Sequence, residues 1–338
     1  MEAFLEPFSF EFFRHGMIAA VMVGALCGLI GVFIVLRGMS YIGHGLSHAA
    51  FGGAVLGYVI NLNFYVGAGL AGFLAAVLIN QLSKGKKIKS DAAIGIVTTA
   101  FFALGVALIS RVRQFTQSFD AALFGNILGV TAVDLLIIAA VLIVTVLAVF
   151  FLYKPLLFST FDNEAAQVFG IRTELVQLAF SLLLAMSIIA SMNIVGVTMI
   201  AAVLVIPSST ARMLTDSFSK MLFISTGLGA LMGIVGMYSS YQFDAASGAT
   251  IVLFGAVMFC SVLLFNFIRN KLAAHEHMHS HGGIMHSHPH DHDGDHAHDH
   301  GDHKHSHDTH THSHGGYEHT HEHDESHVPH KHHEHKKP

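Results

Sequence analysis

From Met17 to Ile268 the sequence is built of runs of about twenty mostly apolar residues, broken by short polar links. A run of that length matches the hydrocarbon core of a bilayer, about 30 Å at 1.5 Å per helical residue. Lipid offers no partner to a backbone N–H or C=O, so each run must close its hydrogen bonds within itself as a helix. Spanning helices are expected near 17–36, 44–61, 65–82, 91–110, 133–153, 176–194, 196–214, 221–240 and 248–268. The second is short and glycine-rich, which puts the count at eight or nine. The fold class is therefore all-α, a polytopic transmembrane helical bundle. Only 12% of residues are charged, where a soluble chain carries about 25%. The N-terminal segment holds Glu2, Glu6 and Glu11 and lacks the basic stretch of a cleaved signal peptide.

The character of the chain changes after Lys271. Of its 28 histidines, 25 follow Ala274 and only His15, His44 and His48 precede it. Residues 275–338 hold 12 acidic against 4 basic residues, while residues 1–274 hold 11 against 14. A membrane domain over 1–271 is thus joined to a polar tail over 272–338. The tail has almost nothing apolar to bury, and it is expected to be disordered. Its alternation of histidine with Asp, Ser and Thr reads as metal-binding, through His286, His288, His290, His292, His296, His298, His300, His303, His305 and His307. A pH-sensing role is the weaker reading of the same histidines. Basic residues accumulate in cytoplasmic links. With the N-terminus outside, eleven, among them Arg37, Lys84, Lys154, Arg212 and Arg269, fall inside, against Arg14, Arg111 and Arg113 outside. The tail is then cytoplasmic.

No GxxxxGK[ST] phosphate loop occurs, so the chain does not hydrolyse ATP through one, and nothing marks a nucleic-acid partner. Gly24-xxx-Gly28 and Gly229-xxx-Gly233 allow close helix approach and say nothing of a substrate. Cys27 and Cys260 lie in apolar runs and read as packing residues. The outer stretch 111–132 contains FDAALFGNIL, a candidate interfacial helix. The inner stretch 154–175 is polar enough for a short surface helix, with Asp162 as its cap.

An ionisable group inside a span marks function by default. His44 and His48 are the histidines that fall in a span. At i and i+4 they share one helix face with Cβ atoms about 5–6 Å apart, so both imidazoles reach one ion. Imidazole suits zinc. The competing reading bonds both rings to backbone carbonyls or to Ser47. Asp91, Asp134 and Asp244 read as caps or mouth-lining groups, and Arg37 as a topology anchor.

Six stretches carry a resemblance in order and spacing: RGMSYIGHGLSHAAFGG, DAAIGI, LFGNILGVTAVDL, FDNEAAQVFGI, IVGVTMIAAVLVIPSSTARML and SYQFDAASGATIVL. Through them the chain, over roughly 17–265, resembles the permease subunits of the bacterial zinc/manganese/iron ABC importers. The resemblance implies a fold similar to the cobalamin-importer permease and a bacterial inner-membrane location. It further implies a dimer with a second permease copy, a separate ABC ATPase subunit and an extracytoplasmic metal-binding protein. No permanently bound cofactor is implied; zinc, or manganese or iron, is cargo. Many such permeases carry Asp four residues before the second-span histidine. His48 matches and His44 departs, which favours zinc. FDNEAAQVFGI looks like the element that docks on the ATPase, which gives Asp162, Glu164 and Gly170 that role. A gradient-coupled secondary metal transporter with a buffering tail is the alternative.

Overall fold

The computed structural model describes residues 6–84, 89–111, 123–273, 275–281, 284–290, 309–314 and 317–322. It divides into two units, Met1–Leu272 and Ala273–Pro338. In the first, helices α1 (Glu11–Leu36), α2 (Ser40–Val59), α3 (Phe64–Lys84) and α4 (Ser90–Arg111) precede α5 (Ala132–Phe151). Two short helices follow, α6 (Tyr153–Phe161) and α7 (Asn163–Val168). Then come α8 (Thr173–Val195), α9 (Ile200–Leu214), α10 (Phe218–Phe243) and α11 (Ser247–Ala273). Among the described residues seven helices are long and apolar enough to cross a membrane: α1, α3, α4, α5, α8, α10 and α11. The two other expected spans are helices of a different kind. α2 has 20 residues diluted by glycine, serine and histidine, and α9 has 15, about 22 Å of rise. Both bury much of their surface against neighbours, so neither has to be hydrophobic all round.

α1 is the central post, buried along most of its length from Phe13 to Ile34. Its glycines explain how α10 lies against it. A Cβ on Gly24 would sit 2.1 Å from the Gly229 carbonyl oxygen, and one on Gly28 2.3 Å from that of Ser225. Only hydrogen fits there, and Ser225 Oγ uses the closeness to donate to the Gly28 carbonyl at 2.6 Å. The small-residue spacing seen in the sequence is therefore the α1–α10 seam.

α9 does not start at an end of the bundle. Val197, in the link before it, is fully buried, and its carbonyl accepts from Ser47 Oγ at 3.0 Å. Irregular backbone survives at such depth because each exposed polar group finds a partner. Thr198 Oγ1 donates to the Leu123 carbonyl at 2.8 Å, closing the link against the strand of chain before α5. Gly125 (φ +84°) and Gly196 (φ +91°) meet at this crossing. A Cβ on either would lie under 2.5 Å from the other segment's backbone oxygen. Of FDAALFGNIL, expected as an interfacial helix, residues 119–122 lie outside the described residues, Leu123 and Phe124 are helical, and from Gly125 the chain is a link with a 3-10 turn, Ile127–Gly129, capped by Asn126. Cys27 is buried with its thiol 3.8 Å from Ser191 Oγ, whereas Cys260 lies on the exposed face of α11 and packs no core.

The second unit contains two antiparallel hairpins, β1 (His275–His281) with β2 (Ile284–His290), and β3 (Thr309–His314) with β4 (Tyr317–Glu322). A tail without regular structure was expected; these four segments are strands, and their His-x-His alternation has the period of a strand.

Candidate metal path

The glycines of α2 place its two histidines on an open face. Gly45 packs against Ile94 and Thr98 of α4, and His44 and His48 border the cleft between the two helices. His44 and His48, one turn apart, point their Nε2 atoms at each other, 3.0 Å apart. Two zinc–nitrogen bonds of about 2.1 Å at a tetrahedral angle need nitrogens about 3.4 Å apart, a separation reached by a small ring rotation. The rings are perpendicular, with centroids 4.4 Å apart, and Phe102 of α4 braces His48 edge-on at 4.5 Å. The competing reading named Ser47 and backbone carbonyls as partners; Ser47 donates to the His44 and Val197 carbonyls, and among the described residues His48 Nδ1 is buried without a partner.

The pair lines a cavity of about 310 Å³ with Tyr41, Asp91, Ile94, Thr98, Thr99 and Phe102. Asp91, expected as a cap, is in the first turn of α4 and faces this cavity. Among the described residues no group of three or more His, Cys, Asp or Glu side chains closes around one point. Asp134 is structural, in a capping box with Thr131 at the start of α5 and hydrogen-bonded by the Tyr65 hydroxyl. Asp244 ends α10 in a left-handed conformation.

A family model described as the ABC 3 transport family matches residues 9–266. The chain belongs to that family. The manganese transport system membrane protein of Halalkalibacterium halodurans is 37% identical to the permease over 76% of this chain and 88% of that one. Its counterpart in Listeria innocua is 39% identical over 76% and 91%. A solved structure, PsaBC from Streptococcus pneumoniae in complex with Fab, superposes with a TM-score of 0.71 at 35% identity, covering 78% of this chain and 95% of that chain. The permease is thus the multi-pass membrane subunit of a metal ABC importer, not an enzyme, and ATP is hydrolysed by a separate subunit. A gradient-coupled carrier is excluded on the same ground.

The proposed ATPase-docking residues of the permease cluster in one exposed segment. Asp162 caps α7, accepting from Ala165 N at 2.8 Å, and Glu164 follows in its first turn. Gly170 ends the segment at φ +78° with open space around it. Beside them Val168 and Phe169 are 85% and 75% exposed, large apolar side chains off the spans. The sequence signal for them is an apolar pair at the end of a short polar helix. Of the tail histidines named above, His286, His288 and His290 lie in β2, paired in register with His279, His277 and His275. His292, His296, His298, His300, His303, His305 and His307 lie outside the described residues.

Proposed function

We propose that this permease imports a divalent metal, zinc first, past His44 and His48, driven by ATP hydrolysis in its partner subunit. The observation that carries the reading is the pair of Nε2 atoms 3.0 Å apart in a cavity of about 310 Å³. Two imidazoles make a softer site than a carboxylate and an imidazole, which favours zinc over manganese. The names of the relatives support manganese as the second reading. A second permease copy, facing the open side of the cavity, would supply the missing ligands or the wall that holds water in their place. The ion arrives from an extracytoplasmic binding protein, and the ATPase docks on α7, with Val168 and Phe169 as apolar contacts flanked by Asp162, Glu164 and Gly170. The chain sits in the bacterial inner membrane with its histidine tail in the cytosol, where the tail buffers arriving metal.

Reconstitution with the ATPase and the binding protein in liposomes tests this, with zinc and manganese uptake measured side by side. Wild type takes up zinc in preference, and His48→Ala abolishes uptake while the complex still assembles. Uptake by His48→Ala at the wild-type rate would overturn the assignment.

A further inference from the structure

Arg37 caps the C-terminus of α1 and is half-buried, and desolvation lowers its guanidinium to about 10. It does more than mark the membrane boundary. Its Nε donates to Thr160 Oγ1 at 3.1 Å, Nη2 to Ser159 Oγ at 3.1 Å, and Nη1 to Gln177 Oε1 at 2.6 Å. The guanidinium carbon lies 4.3 Å above the Phe180 ring. Ser159 and Thr160 each give their own proton back to the Leu156 carbonyl, which turns their lone pairs toward the arginine. One planar fork thus ties the end of α1 to α6 and α8, and the acceptors are all neutral.

The position of the fork gives it meaning. On one side, α6 leads through Asp162 into α7, the segment read above as docking on the ATPase. On the other, Gly38 follows at φ +65° with nothing within 4 Å of its missing side chain, and α2 starts at Ser40. His44 is about two helical turns beyond Arg37. A polar cavity of about 630 Å³ opens beside the fork, lined by Arg37, Ser159, Thr160, Asn163, Gln167 and Gln177 among others.

We propose that Arg37 is the positioning residue that transmits displacement of α6–α7 to α2 and so to the histidine pair. The rigid fork fixes the position of α6 against the ends of α1 and α8, and Gly38, next in the chain, hands that position to α2. Lysine, a point charge on a flexible stem, cannot hold the three acceptors in one geometry. The proposal rests on the reading that α7 meets the ATPase and that the histidines meet the ion.

The test uses the full reconstituted complex and two readouts, metal imported per ATP hydrolysed and thermal unfolding. In Arg37→Lys, and separately in the double variant Ser159→Ala with Thr160→Val, the complex assembles and basal ATPase activity persists. Metal imported per ATP falls about tenfold, equivalent to about 1.4 kcal/mol of coupling. The double variant leaves Arg37 and its charge in place, so it decides the matter if Arg37→Lys fails to fold. An unchanged ratio in the double variant, or a lowered melting temperature with the ratio intact, overturns the proposal and leaves Arg37 a structural staple. His48→Ala in the same assay separates the two readings. Normal uptake there sinks the metal path whatever Arg37 does.

Discussion

At position 44 an imidazole stands where resembling permeases often carry a carboxylate, and the two rings touch at 3.0 Å. His44→Asp restores a hard oxygen ligand beside His48 and should keep uptake while moving preference toward manganese. Competition between the two metals in liposomes measures it, and an unmoved preference would remove position 44 from the ligand set. Ser47, between the histidines, has a different task. Ser47→Ala leaves the buried Val197 carbonyl without its donor and should lower stability by about 1–3 kcal/mol, read by thermal unfolding in detergent. The histidine pair was legible because i, i+4 spacing fixes a shared helix face before any packing is known. Asp91 and Phe102 were not, since their part depends on how α4 lies across α2, and no local pattern encodes that crossing. Arg37 was read as a boundary charge for the same reason: its acceptors on α6 and α8 lie more than a hundred residues away.

Elements were more legible than their contacts. Hydrophobic run length located every helix from α1 to α11 that crosses or nearly crosses the bundle, because lipid leaves the backbone no other structure. It missed the buried link before α9, where the two glycines of positive φ let two segments cross. The α1–α10 seam supplies a paired test. Gly28→Val drives a methyl group into the Ser225 carbonyl, and an overpacked seam loses about 1–3 kcal/mol or comes apart. Gly227→Ala, on α10 with open space around it, should raise stability by up to about 1 kcal/mol through helix propensity alone. Equal melting shifts in the two would discredit the seam. The α6–α7 segment makes its own prediction. Phe169→Asp puts a charge on an exposed apolar contact and should release the ATPase in co-purification while the permease itself stays folded.

For the whole molecule, the two units invite separation. A chain ending at Lys271 should fold, assemble and import metal, and a cell carrying it should lose tolerance of a sudden zinc excess. The isolated 275–338 peptide should bind several zinc ions at pH 7.5 by calorimetry, and fewer than about two would leave the tail without its buffering part. Ligation requires neutral imidazole, so protons compete with metal. Binding is complete above the ordinary histidine value of about 6.5 and fades as pH falls through it. The contrast between the two cysteines has a practical consequence at this scale. Cys27 is sealed beside Ser191 and Cys260 faces outward, so an unaltered chain offers a thiol reagent one site, on α11. A fluorophore attached there to the purified permease marks α11 without a cysteine-free background. Protection of that thiol on reconstitution would map where lipid gives way to protein.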